Sequence, residues 1–227
     1  MRRVIEDIIE QIEGLLPAQE KRVERRLKKI IRHLNRALED RQGDLWLDGY
    51  HVASWHRGVK VFVNLGKAVR ELDSRKWQKL APELVGTFRE AAGDLLEVSS
   101  TLARTCYEEA VAGTGGDAGR VSKWLLKRAE RELERGDELV ARRNEDPPGK
   151  MLGLRAVHCY KSAWRFSQWV MRWEGISPAQ IICLLERRRL RLVAWKIISG
   201  SRANTMIRRQ GCTIIITATT TQELGGI

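Results

Sequence analysis

Few side chains in this sequence are equipped to move a proton, hold a metal or attack an electrophile, and the densest group is Asp48, His51 and His56. An imidazole beside a carboxylate can relay a proton, and two imidazoles with an acid can begin a zinc shell. Zinc takes four ligands, and only His158, Cys159 or Cys106, all distant in sequence, are left to complete the set. Metal sites show tighter local spacing than this. The plainer reading is that His51 and His56 hydrogen-bond a connector onto the helix that follows, near Trp46 and Trp55.

Cys106, Cys159, Cys183 and Cys212 stand 53, 24 and 29 positions apart with no CxxC, so they read as isolated reduced thiols. There is no GxSxG, no P-loop and no strand-preceded GxGxxG. Gly113-Thr-Gly-Gly-Asp lies between two helical patterns and predicts a turn, not a phosphate cradle. Trp124, Trp164, Trp169 and Trp173 have the makings of a cage for a cation, but their helical spacing favours core packing and helix-end anchoring. No catalytic residue, metal, cofactor or small-molecule substrate is therefore assigned.

One basic cluster competes with plain solvation. Arg187, Arg188, Arg191 and Lys196, with Arg208 and Arg209 beyond, suit phosphate contacts of a sequence-independent kind. The alternative is a solvated face on a terminal helix. The formal net charge is +12. Residues 1–175 hold 33 basic and 27 acidic side chains, and residues 176–227 hold eight and two. Half of the excess thus sits in less than a quarter of the chain.

These residues need elements to carry them, and the periodicity predicts helices almost throughout. Val4, Ile5, Ile8, Ile9, Ile12, Leu15 and Leu16 give a first helix over about 3–16 one apolar face. Pro17 ends it and suits the first turn of a second helix, which runs to about Asp40 and is closed by Gly43. A third spans about 54–72. Ser74 caps a short turn before Pro82, where a fourth helix starts and continues to about Ala112. Asp117 caps a fifth, running to about Arg143. After the polar loop Asn144-Glu-Asp-Pro-Pro-Gly, a sixth runs over 152–173, apolar on much of its circumference and hence central.

Gly175 ends that helix, and Ser177-Pro-Ala-Gln opens a seventh, basic helix to about Ser199. Thr213-Ile-Ile-Ile-Thr-Ala-Thr-Thr-Thr is β-branched with no partner strand in the chain, and is expected to be poorly ordered or to pair outside it. The prediction is an all-α, antiparallel bundle of about six helices over 1–175, a basic helix over 176–200 and an irregular tail over 201–227. Glu6, Asp7, Glu10 and Glu13 interrupt what would be the apolar part of a signal peptide, so no export signal is expected. No apolar run has the length of a membrane span.

Two stretches look familiar. Leu45-Trp-Leu-Asp-Gly-Tyr-His-Val-Ala-Ser-Trp-His-Arg-Gly-Val-Lys-Val-Phe, followed by Gly66-Lys-Ala-Val-Arg-Glu-Leu, is the more distinctive. Ala129-Glu-Arg-Glu-Leu-Glu-Arg-Gly-Asp and Ala156-Val-His-Cys-Tyr-Lys-Ser-Ala-Trp extend it. Over about 4–172 the chain resembles a helical module found near the C-termini of large secreted or surface-attached prokaryotic proteins, often behind immunoglobulin-like repeats. That resemblance implies an all-helical, non-enzymatic module with a structural or protein-interaction role, located outside the cell or on its surface.

The leading expectation is accordingly a structural or protein-interaction module with a closed bundle, no deep polar pocket and interleaved surface charges. The alternative is a nucleic-acid binder acting through the region after residue 176. A small enzyme or metal protein centred on His51 and His56 comes third.

Overall fold

The computed structural model describes residues 1–18, 20–40, 43–46, 51–52, 55–114, 119–145 and 151–173, with the side chains of 40, 55 and 56 outside that description. Helix α1 (Arg2–Glu13) buries Ile5, Ile8, Ile9 and Ile12 on one stripe. Helix α2 (Lys21–Leu38) does the same with Val23, Leu27, Ile30, Leu34, Ala37 and Leu38. Both stripes follow the three- and four-residue steps that place side chains on one helical face.

Two predicted boundaries are corrected. Glu20 precedes α2 in an extended conformation, so Pro17, after a cis peptide bond, belongs to the link and not to the helix. At the other end, Glu39 is already extended at φ −135°, and the chain enters a two-residue strand β1 (Glu39–Asp40). This pairs antiparallel with β2 (Gly43–Asp44). Gly43, at φ +103°, therefore serves this small ribbon and does not cap α2. A left-handed φ of that kind favours glycine because it has no Cβ.

Helix α3 spans Trp55–Leu72 and is followed by a one-turn helix α4 (Trp77–Leu80). A 3₁₀ turn over Pro82–Leu84 then leads into α5 (Val85–Gly113), so the helix expected from Pro82 begins one turn later. The reason for α4 is Trp77. Its indole N–H donates to the Glu71 carbonyl at 2.8 Å, and its ring packs at 4.5 Å from Phe88. Helices α6 (Arg120–Glu145) and α7 (Leu152–Trp173) complete the described elements, and the predicted cap Asp117 lies outside them.

Short links return the chain antiparallel into an all-α bundle. Helix α7 packs on α3, α5 and α6, α2 on α3, and α1 on α2. The central position expected of 152–173 follows from three features. Trp164, Tyr160, Val157, Ala156 and Ala163 are buried around much of α7. A Cβ on Gly58 of α3 would lie 2.3 Å from the Trp164 ring, and one on Gly136 of α6 would lie 2.5 Å from the Tyr160 ring. The two glycines are notches into which the rings of α7 seat. Arg143 on α6 donates to both Asp73 carboxylate oxygens, at 2.7 and 2.9 Å, and to the Arg89 carbonyl at 2.7 Å, which ties three helices at one end.

A small second cluster of Ala110, Leu125 and Val170 lies at the other end, bordered by Phe166, Trp169 and Trp173. The chain divides into two units, Met1–Ser177 and Pro178–Ile227. The predicted basic helix and the Thr213–Thr221 run lie outside the described residues.

Candidate functional site

Val52 pairs with Trp46 in an isolated antiparallel bridge, which turns the connector back on itself. Trp46 anchors that turn. Its backbone N–H donates to Asp44 Oδ1 at 2.9 Å, and its indole N–H donates to the Ala37 carbonyl at 3.0 Å. With the turn fixed, His51 and Val52 face Leu102, Thr105, Cys106 and Glu109 of α5 and Trp164 and Gln168 of α7. Between them is a cavity of about 190 Å³.

His51 Nε2 lies 2.7 Å from Glu109 Oε1, so the imidazole reaches α5, a partner the sequence reading did not name. Both side chains are about two-fifths exposed, and an ion pair in that setting contributes ~0.2–1 kcal/mol. Cys106 forms the floor. Its thiol donates to the Trp164 carbonyl at 3.7 Å and accepts from Gln168 Nε2 at 3.4 Å. Burial pushes that thiol up to about 12, against a smaller lowering by Gln168. A thiol in that environment stays protonated near neutral pH, and the thiolate is the nucleophile. Trp164, held at 5.7 Å from Phe62 and seated on Gly58, makes a rigid wall. The arrangement sets an imidazole against a carboxylate at the mouth and offers a weakly polar, neutral floor.

The structure thus joins three of the residues singled out from the sequence, His51, Cys106 and Trp164, in one cavity. Asp48 and the His56 side chain lie outside the described residues. His158 is exposed on α7 and does not line the cavity. Cys159 is buried, and its thiol is pushed up to about 11 by burial and by Glu132. Among the described residues no group of three His, Cys, Asp or Glu side chains is placed to share a metal ion.

The four tryptophans differ in burial. Trp164 is buried, Trp169 and Trp173 stack at 5.9 Å near the end of α7, and Trp124 stands 57% exposed on α6. Gly113 ends α5 and Thr114 follows as its cap, so this part of the glycine run is a helix terminus. Arg187, Arg188, Arg191, Lys196, Arg208 and Arg209 lie outside the described residues.

Glu109 and Gln168 were not visible as site residues from the sequence. Each does carry a local signal: Glu109 lies three positions after Cys106 on α5, and Gln168 four after Trp164 on α7. The pairing of those two faces spans about 60 residues and comes from tertiary packing. Comparison of the chain with protein-family models, curated proteins and solved structures finds no match.

Proposed function

We propose that this chain is a non-catalytic helical module whose work is to present a surface to a macromolecular partner. The observation that carries this reading is the state of Cys106. It is the nucleophile best placed in the cavity, and its thiol is pushed up to about 12 by burial. The imidazole beside it is paired with Glu109 at a half-exposed mouth. The distinctive stretch 45–62 supports the same reading through packing. Leu45, Trp46, Val61 and Phe62 are buried, and Gly58 clears space for Trp164. Those residues do structural work, in keeping with the module that the sequence resembles. No helix among the described residues is long and apolar enough to cross a membrane.

The test is a screen of the full chain for turnover of ester, phosphoester and peptide substrates, beside His51→Ala and Glu109→Ala. The expected result is no turnover and a stability change within about 1 kcal/mol for either variant. Turnover by the wild type that disappears in His51→Ala overturns the reading.

A further inference from the structure

Helix α6 gathers exposed arginines on one side. Arg120, Trp124, Arg128, Arg131 and Arg135 recur at three- and four-residue steps, are all exposed, and form one strip along the helix. Half-buried Glu132 borders the strip beside Arg128 and Arg135, and Glu138 closes it one turn further on. Glu130, Glu134 and Asp137 occupy the other exposed side, where Asp137 pairs with Arg104 of α5. Lys123 and Lys127, both exposed, share that other side with the acids, so the charge there is mixed while the arginines keep to one strip. Arg120, Arg131 and Arg135 form no ion pair among the described residues.

Trp124 lies in the middle of this strip, and at 57% exposure it is the most open large apolar side chain among the described residues. The Arg128 guanidinium sits 5.9 Å from the Trp124 ring and 5.8 Å from the Phe166 ring of α7. Arg165 lies 5.9 Å over Trp169 on the same helix as Phe166. Flat cations and flat rings therefore alternate from α6 onto α7.

From this geometry we infer that the strip on α6, with Phe166 beside it, is a docking surface for single-stranded nucleic acid, an inference that rests on the non-catalytic reading above. The strip is roughly 22 Å long at 1.5 Å rise per residue, enough to follow several phosphates of an extended strand. Four guanidiniums answer the backbone charge, and the exposed indole offers a face on which an unstacked base can lie. A duplex keeps its bases stacked and gives Trp124 nothing to receive. An anionic membrane fits less well, because interfacial binding needs a broad apolar face and this strip exposes a single ring. An acidic polypeptide would use the cations and leave the indole without a role.

The experiment is fluorescence anisotropy with the full chain and a labelled twelve-residue oligothymidylate, repeated with a duplex hairpin and with phosphatidylserine-containing vesicles. Binding is expected to weaken about 50-fold between 50 and 200 mM salt if four phosphates are contacted. Arg120→Ala/Arg131→Ala/Arg135→Ala is expected to weaken it further, with unchanged helix content by circular dichroism because all three side chains are exposed. Trp124→Ala should lose at least about fivefold for the single strand. It should lose nothing for the hairpin, and Trp124→Phe should restore most of the affinity. No binding at 50 mM salt, equal binding by the triple arginine variant, or a preference for vesicles over the oligonucleotide each overturns the inference. Equal binding by the triple variant would point to another surface, such as the Arg187–Lys196 run, and would leave the turnover test of the broader reading untouched.

Discussion

Gly136→Ala and Gly93→Ala place the same methyl group in the interiors of two helices and are expected to move stability in opposite directions. In an open helical site the substitution stabilises by about 0.8–1.0 kcal/mol, because alanine loses less backbone freedom than glycine. Gly93 on α5 is such a site, since a Cβ there meets only Arg143 Nη1, at 3.9 Å. At Gly136 the new Cβ would lie 2.5 Å from Tyr160 Cε1 and 2.9 Å from Cδ1 and Cζ. Carbon atoms prefer about 3.5–4.0 Å, so the overlap exceeds an ångström.

Tyr160 has little freedom to yield. It is 1% exposed, and its hydroxyl donates to Asp137 Oδ1 at 2.9 Å. Overpacking costs about 1–3 kcal/mol and loss of the tyrosine hydrogen bond about 1 more. Set against the helical gain, Gly136→Ala is expected to destabilise by about 1–3 kcal/mol. That corresponds to a fall in Tm of roughly 2–12 °C in a domain of this size, with a rise of about 2–4 °C for Gly93→Ala. Thermal melts followed by circular dichroism measure both. If Gly136→Ala melts at or above the wild type while Gly93→Ala behaves as expected, the seating of Tyr160 on α6 is wrong.

Other outcomes follow from the same packing. Arg143→Met strands the Asp73 carboxylate, whose side chain is only 12% exposed, and should cost about 3–5 kcal/mol in urea unfolding. Adding Asp73→Asn should recover part of that loss, and strict additivity would show that the pair is not coupled. At pH 8 about one Cys106 thiol in ten thousand is ionised, given a value near 12. Peptide mapping after iodoacetamide treatment should therefore find Cys106 unmodified in folded protein and labelled in urea; rapid native labelling would refute its burial.

His33 has neither ring nitrogen hydrogen-bonded among the described residues. Burial holds its pKa below 6.5, with Lys67 of α3 and Lys29 and Arg36 of α2 adding to the effect and Glu71 of α3 opposing it. The unfolded chain takes up this proton first, so stability should decline as pH falls below about 6.5 and hold steady above it. His33→Leu should flatten that decline, and an unchanged slope would assign the effect elsewhere.

Much of the fold was legible in the sequence because burial follows a period. The stripes of α1, α2 and α5 sit where three- and four-residue spacing puts them, and the apolar circumference of 152–173 announced the helix that α3, α5 and α6 enclose. The errors fell at ends, where a side chain's distant partner decides. Pro17 lies in the link before α2 and not in its first turn, and Gly43 serves a strand pair instead of a helix cap. The cavity was half legible. His51, Cys106 and Trp164 stand out by residue type, whereas Glu109 enters only when the Trp46–Val52 bridge swings the connector onto α5. The arginine strip on α6 was in plain view as letters, but it needed a helix with one buried side before its two exposed flanks could be told apart.

The notches at Gly58 and Gly136 also bear on synthesis. They receive rings from α7, which emerges from the ribosome after every other described element. Until residues 152–173 are made, α3 and α6 carry vacant slots and α5 lacks its principal partner. The nascent bundle must wait with apolar surface uncovered, a state in which partly made chains are open to aggregation and to chaperone capture. Final closure is thus timed by translation of the last described helix, and a stall before residue 152 would release a chain with most of its described helices and no closed core.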